Sequence, residues 1–408
     1  MATGTLGIIM TSPGQTYTVS IFIEHFIADL NLSRSLVSTL YSIGTLVGSF
    51  SLHFWGRQID QRGSRTMVTW IALLFGLACI YMGFVQNALM IGLGFILIRM
   101  LGQGGLGLVS QTVINQWWVR KRGLIMGISG LLVALLGMGA FPNLVYALIS
   151  AFQWRAAYRI LGLMLLFLMA PLGFFLFRNR PEDYDLNPDG IRASADSDVH
   201  VDESIADLEE NWSLQEAFQT NAFWILLVGL AAFAMFSTGL FFHLVSLFAD
   251  RGLDAAVAAS VFVPVALAAA VANLASGFIT DHIPLRFLLA LALLLQAGSL
   301  LLIQFLHGTA SAFLFGIILG ATNGVARTLS SVAWPSFFGR ENLGSIYGFA
   351  TTAGVIGAAL GPIPFGFVRD SLGSYRIALF VAAGICVLLG LLSLTVQKPI
   401  KENVGLES

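Results

Sequence analysis

The sequence predicts an all-α membrane protein whose twelve transmembrane helices form two pseudo-symmetric six-helix bundles. The 408 residues are 57% apolar and 11% charged, with a mean hydropathy of +0.82, whereas soluble domains carry nearer a quarter of charged residues. A polar hairpin motif occurs twice, about half the chain apart, which indicates a duplicated bundle. No alternation typical of strands occurs, and lipid admits only helices or closed barrels.

Twelve apolar runs approach the roughly 20 residues that a spanning helix needs. In the first half, taken as a bundle over 1–178, the runs cover 5–29, 35–55, 67–87, 90–112, 123–148 and 156–177. In the second half, taken as a bundle over 219–408, they cover 221–248, 257–280, 286–306, 309–332, 345–367 and 374–396. The two cysteines lie inside apolar runs, so we expect buried thiols rather than a metal site.

The repeated hairpin has the spacing Gly-x-x-x-Asp-x-x-(Gly/Pro)-x-Arg. The first copy consists of Gly56, Asp60, Gly63 and Arg65. The second copy, 221 residues later, has Gly277, Asp281, Pro284 and Arg286. Each copy is expected to be a short polar loop between two long apolar runs, on the same side of the membrane.

The segment 179–218 between the halves holds twelve of the 22 acidic residues. Such a charge run cannot bury enough apolar surface to fold, so it predicts a solvated, partly disordered acidic linker. A simple tether is favoured over a regulatory role. Its end, 212–218, is expected to form a short helix on the membrane surface.

Basic residues predict that both termini and the linker face the cytoplasm, in the cell membrane. With twelve spans, one face receives eleven Lys and Arg residues and the other face six. The eleven are Arg57, Arg62, Arg65, Arg120, Lys121, Arg122, Arg178, Arg286, Arg340, Lys398 and Lys401.

The two hairpins resemble the loop motif of the major facilitator superfamily, which joins the second helix to the third and the eighth to the ninth. The segments 99–104, 118–123, 339–348 and 370–375 are also similar to motifs of that superfamily, the last three to its monocarboxylate and oxalate:formate branch. The resemblance spans essentially the whole chain. It implies a secondary transporter that works by alternating access. An enzyme is not expected, because the sequence contains no Gly-x-Ser-x-Gly motif, metal-spaced His/Cys set or phosphate loop.

The resemblance further implies a gating latch, made by Gly56, Asp60, Gly63 and Arg65 with Asp281 and Arg286. In that superfamily the hairpin carboxylate holds the inner side shut while the outer side is open. Two such states need to differ by only a few kcal/mol. The alternative role for these residues is topological, with arginines keeping a loop inside.

Arg99 and Arg327 are the clear charges within the apolar runs. Each costs about 2.5–3.5 kcal/mol at mid-bilayer and therefore needs a partner or a watery cavity. Arg99 lies about ten residues into the fourth span, roughly 15 Å along its axis, where it can bind a carboxylate or else bond to backbone carbonyls and Gln103. Arg327, about five residues from the end of the predicted tenth span, either contacts substrate or reaches the interface.

The first span contains Ser12-Pro13-Gly14-Gln15-Thr16-Tyr17, in which Pro and Gly interrupt the helix and free backbone groups. Gln15 and Tyr17 are therefore predicted to line a site at mid-depth, although a simple kink is the alternative. His243 occupies the corresponding place in the seventh span and either joins the site or packs. Asn143, Asn273, Asn323 and Trp334 are weaker cavity candidates, for which packing is favoured.

We therefore expect a carrier of a small organic anion, a monocarboxylate, by proton symport or anion exchange, with no cofactor or metal. The anion assignment rests on two intramembrane arginines without a clear intramembrane acid. Efflux of hydrophobic compounds is the alternative, and a transport-inactive membrane sensor is a further one. The net charge of −1 argues against a nucleic-acid partner. The lipid bilayer is expected to surround the apolar surface of the helices. An oligomer is not required.

Overall fold

The computed structural model describes residues 1–118, 122–179, 181–184, 211–280, 282–339 and 343–400. These ranges are helical and contain no strand. The helices of the first half are α1 (Ala2–Ile9 and Thr16–Leu30), α2 (Arg34–Arg62), α3 (Ser64–Met82), α4 (Ala88–Trp117), α5 (122–152) and α6 (154–176). Those of the second half are α7 (Asn221–Phe242 and Leu244–Ala249), α8 (Ala255–Thr280), α9 (Leu285–Phe305), α10 (Thr309–Phe338), α11 (343–372) and α12 (Arg376–Ser393).

The helices of the described ranges make twelve crossings, as predicted. Ten continuous helices in the described ranges are long and apolar enough to span a membrane. One of them, Ile125–Leu176, has 52 residues and contains the non-helical Gln153 (φ 66°), so it crosses twice as α5 and α6. The remaining crossing is α1, whose interruption divides it into two shorter helices.

The predicted break in α1 is confirmed. Residues Ser12–Gly14 form a single 3-10 turn, and Gln15 is extended (φ −84°, ψ 151°) before the helix resumes at Thr16. Proline has no amide hydrogen to donate and glycine tolerates unusual backbone angles, so this sequence interrupts the helix at mid-span.

The first hairpin differs from the predicted loop. α2 continues through 56–62 and ends at Gly63, whose φ of 79° allows the chain to reverse directly into α3. Residues 56–62 contain no proline and glycine occurs only at their start, so nothing ends the helix before Gly63. The prediction of a polar loop beginning at 56 was therefore wrong by about two turns of helix.

Most of the acidic linker, 185–210, lies outside the described residues. Its predicted terminal helix is present as Leu214–Ala217. Ser213 accepts a hydrogen bond from the Glu216 amide, while the Glu216 carboxylate accepts one from the Ser213 amide, which forms a capping box.

The two bundles meet along three helix pairs, α1 with α7, α2 with α11 and α5 with α8. We call the face with the chain ends and Gly63 the terminal face, and the opposite one the distal face. Toward the distal face the bundles touch: the Tyr41 ring centroid lies 4.6 Å from that of Phe242, and Asn143 donates to the Ala259 carbonyl at 3.1 Å. The bundles are therefore closed together on the distal side.

Within each bundle, glycines allow close approach of neighbouring helices, as lipid-embedded packing favours. A Cβ on Gly162 in α6 would lie 2.5 Å from the Gly76 carbonyl oxygen in α3, and one on Gly76 would lie 2.9 Å from the Gly162 oxygen. The two backbones are thus in direct contact.

We predict that Gly162→Ala lowers the free energy of unfolding by about 1–3 kcal/mol, because the added methyl group forces α3 and α6 apart. Thermal unfolding of the detergent-purified protein measures the effect. Gly384→Ala is the control, since a Cβ at that position meets nothing within 4 Å. Equal melting of the two variants would contradict the prediction.

Candidate functional site

A cavity of about 1190 Å³ lies between the bundles. The first bundle lines it with the break of α1 and residues of α5 between Met126 and Met138. The second bundle lines it with residues of α7, α8, α10 and α11. Because the lining includes Met126, Trp334 and Tyr347, near the terminal ends of their helices, and the distal side is closed, the cavity opens toward the terminal face.

Arg327 is the only charged side chain among the described residues that line this cavity. Its side chain is exposed, and no hydrogen bond or ion pair links it to another residue within the described ranges. α10 continues to Phe338 rather than to the predicted 332, so Arg327 lies eleven residues from the helix end, roughly 16 Å. In this conformation Arg327 lies in the cavity, and the choice between substrate contact and reaching the interface stays a prediction.

The α1 break supplies polar groups to the same cavity as Arg327. Gln15 and Tyr17 both line the cavity, as predicted. The Gln15 amide donates to Thr11 Oγ1 at 3.0 Å, and the Tyr17 hydroxyl lies 3.0 Å from Ser12 Oγ. These bonds hold the two side chains in place and leave the Gln15 side-chain oxygen Oε1 available to a ligand.

The second bundle adds amides and hydroxyls. Ser237 in α7 donates to Asn323 Oδ1 at 3.1 Å, and Asn273 in α8 donates to Thr328 Oγ1 at 3.1 Å. Asn273, Asn323 and Trp334 line the cavity, whereas packing had been favoured for them.

The sequence analysis missed several hydroxyl-bearing lining residues, which include Ser237, Tyr347 and Thr351. Their sequence signal is weak, because hydroxyl side chains in spanning helices commonly bond to the backbone of their own helix. Isolated polar residues at mid-run in α7 and α11 would have been the clue.

Arg99, the second arginine expected to attract the anion, is not among the residues that line the cavity. It is 4% exposed; its Nε donates to Thr45 Oγ1 at 3.1 Å and one terminal nitrogen donates to the Gly14 carbonyl at 3.0 Å. Its guanidinium carbon lies 5.1 Å from the Tyr41 ring centroid. The Gly14 carbonyl is freed by the α1 break, so Arg99 holds that break in this conformation, and its expected role in substrate binding stays a prediction. This geometry corresponds to the expected alternative, in which Arg99 bonds to a backbone carbonyl, except that its side-chain partner is Thr45 and not Gln103.

His243 also lies outside the cavity lining. It is 1% exposed and occupies the break between the two segments of α7. Its Nε2 donates to the Pro362 carbonyl at 2.9 Å, and its Nδ1 lies 3.2 Å from the Tyr375 hydroxyl. His243 therefore belongs to the distal contact region, where α7, α11 and α12 meet.

The latch residues are only partly described. The Asp60 side chain and Asp281 lie outside the described residues, so the gating latch stays a prediction. Arg65 in α3 donates to the Phe174 carbonyl in α6 at 2.6 Å, and its guanidinium lies 4.8 Å from the Phe174 ring centroid. Arg286 is the second residue of α9, and its guanidinium carbon lies 5.0 Å from the Phe287 ring centroid. In this conformation both arginines contact their own bundle.

Two helical bundles around a cavity that opens on one face define a membrane carrier. The chain belongs to the Major Facilitator Superfamily, whose family model matches residues 5–362 and 265–407. It is therefore a multi-pass membrane transporter. The structure is similar to that of a bacterial homologue of the human lysosomal transporter Spinster in an inward-facing, unoccupied conformation, with a TM-score of 0.68 and 15% identity over 96% of this chain and 94% of that one.

Two curated relatives cover most of the chain. Monocarboxylate transporter 13 of Rattus norvegicus is 24% identical over 399 residues, which is 92% of this chain and 83% of the relative. The hexuronate transporter of Bacillus subtilis (strain 168) is 24% identical over 402 residues, which is 91% of this chain and 88% of the relative. Both names describe carriers of organic acids.

We predict that Arg99→Lys lowers the free energy of unfolding by about 1–3 kcal/mol, because one ammonium cannot bond both Thr45 and Gly14 in the same geometry and leaves a buried acceptor unpaired. Thermal unfolding of the purified protein checks this. The matched control is Arg376→Lys at an exposed position of α12, for which no change is expected. An unaltered unfolding profile combined with lost transport would instead assign Arg99 to the substrate.

Proposed function

We propose that this protein carries a small organic anion across the cell membrane, and that Arg327 binds the carboxylate of that anion. The single observation that supports the proposal is an exposed guanidinium in the cavity, without an acidic partner among the described residues. An unpaired cation at this depth is costly. A bound carboxylate offsets that cost, because guanidinium and carboxylate form paired, charge-assisted hydrogen bonds.

The other polar residues of the cavity support a ligand that carries further polar groups besides its carboxylate. Gln15 and Tyr17 from the first bundle face the cavity together with Ser237 and Asn323 from the second. A ligand held by Arg327 and α1 would contact both bundles, so its binding energy could favour closure of the cavity. The relatives named for monocarboxylate and hexuronate transport support the same substrate class.

We propose that both termini face the cytoplasm, so that the cavity described here opens inward. The latch of Gly56, Asp60, Gly63 and Arg65, with Asp281 and Arg286, is proposed to close the terminal face when the distal face opens. Proton symport or anion exchange is proposed as the driving force.

We predict that Arg327→Gln reduces uptake of the transported carboxylate at least about tenfold, since a charge-assisted pair contributes roughly 1.5–3 kcal/mol. The measurement is counterflow of radiolabelled lactate, glucuronate and sulfoacetate into proteoliposomes, with and without a pH gradient. Arg376→Gln removes an equal charge outside the cavity and should transport like the parent.

The same assay separates the alternatives. Stimulation of uptake by an inward proton gradient supports symport, and dependence on an internal anion supports exchange. Transport confined to neutral or cationic hydrophobic compounds, unaffected by Arg327→Gln, would overturn the anion assignment in favour of efflux. That alternative draws on the aliphatic and aromatic part of the lining, which includes Leu131, Phe233 and Leu274.

A further inference from the structure

The helices α2 and α11 run antiparallel across the boundary between the bundles. α2 begins at the distal face with Arg34 and ends at the terminal face with Arg62. α11 begins at the terminal face and ends at the distal face with Leu372. The start of each helix therefore lies at the same face as the end of the other.

At the distal face, a carboxylate of one bundle caps a helix of the other. Asp370, near the end of α11, accepts a hydrogen bond from the Ser35 amide of α2 at 2.7 Å. Amides in the first turn of a helix have no acceptor within the helix, and the positive end of the helix dipole favours an anion. The N-cap Ser33 bonds the Leu36 amide instead, so the Ser35 amide is available to Asp370.

The backbone of α11 lies directly against α2 at this point. A Cβ on Gly366, one turn before Asp370, would lie 2.6 Å from Ser38 Oγ and 3.2 Å from the Arg34 carbonyl oxygen. This close approach brings Asp370 within reach of the α2 amides. If the bundles separated on this side, Asp370 would lose the Ser35 amide.

The salt bridges described at the distal face each lie within one bundle, although Arg34 also attracts Asp370 electrostatically across the boundary. Glu24 pairs with Arg34 in the first bundle at 2.6 Å, and Asp29 pairs with Arg155 in the same bundle at 2.5 Å. In the second bundle Asp250 pairs with Arg369 at 2.9 Å. These pairs can persist while the bundles rock, whereas the contact between Asp370 and Ser35 cannot.

We propose that Asp370 is a positioning residue of the transport cycle, which holds the distal side shut by capping α2 and must release it before the carrier can face the other way. The proposal rests on the carrier architecture and not on the substrate class.

The test measures exposure of a thiol buried in the closed distal region. Ser42→Cys is nearly isosteric, lies one turn beyond Ser38 on α2 and replaces a residue that is 1% exposed. In nanodiscs, its rate of labelling by a membrane-impermeant maleimide reports opening of the distal side. The two native cysteines are buried, so the protein without the added thiol is the blank.

We expect Asp370→Asn to raise the labelling rate about three- to tenfold, because the closed distal side loses the attraction between a negative charge and the N-terminus of α2. Asp370→Glu, which keeps a carboxylate, should recover most of the parent rate. Asp250→Asn is the matched control, because it removes an acid of the same face that pairs within one bundle, and it should leave the rate unchanged. No substrate is added, so the result is independent of the anion assignment.

A second variant covers the case in which Asp370→Asn does not fold. Ser35→Pro removes the donated amide hydrogen while Asp370 stays, and proline is tolerated in the first turn of a helix. Ser35→Pro should also raise the labelling rate of the thiol introduced by Ser42→Cys. Parent-like labelling in folded Asp370→Asn or Ser35→Pro, or equal increases in Asp250→Asn and Asp370→Asn, would overturn the proposal.

Discussion

Hydrocarbon provides no hydrogen bonds, and this constraint governs where the polar groups of the chain can lie. The break in α1 frees the Gly14 carbonyl in the middle of a span, where water cannot satisfy it. Arg99 bonds that carbonyl, and Thr45 and Tyr41 complete the surroundings of its guanidinium. The break in turn orients Gln15 and Tyr17 toward the cavity. One buried cation thus stabilises the irregular segment from which half of the proposed site is built.

The same constraint explains why Arg327 differs from Arg99. Both are single arginines in apolar helices, yet one is buried against backbone and hydroxyl oxygens and the other is exposed in a cavity between bundles. A cation without a protein partner at this depth is tolerable where water reaches it. That access is also what allows an anion to reach it, so solvation and ligand binding have a common structural origin.

Closure of the distal side consists mainly of neutral contacts. Among the described residues, the Tyr41 and Phe242 rings, the bond from Asn143 to the Ala259 carbonyl and the contact of Ser38 Oγ with His243 join the bundles there, together with the carboxylate of Asp370. Many small neutral contacts and few cross-bundle charges suit a carrier, because its two states must remain within a few kcal/mol of each other. A large network of ion pairs across the boundary would favour one state too strongly.

Much of the fold could be predicted from the sequence, because apolar runs of spanning length and a duplicated hairpin depend on local patterns. The α1 break was equally local, since Pro13 and Gly14 specify it. The helix ends of α2 and α10 were misplaced, because polar residues at a membrane interface do not end a helix unless a residue such as Gly63 changes the backbone angle.

The site was only partly predictable. Sequence identified both arginines as unusual but could not show which one faces the cavity, because that depends on packing between helices distant in sequence. The contact between Asp370 and Ser35 joins residues 335 positions apart, and no local pattern reveals it. The superfamily was recognisable from its motifs, since the hairpin spacing is specific.

The most direct test of the central claim, that an anion bound at Arg327 draws the bundles together, is a distance measurement across the terminal face. Spin labels at the exposed positions Gln111 in α4 and Phe278 in α8 would be followed by pulsed electron resonance in nanodiscs. The account predicts that a transported carboxylate shifts the distances to shorter values in the parent and not in Arg327→Gln. An identical shift in both proteins, or no shift in the parent at saturating anion, would contradict it.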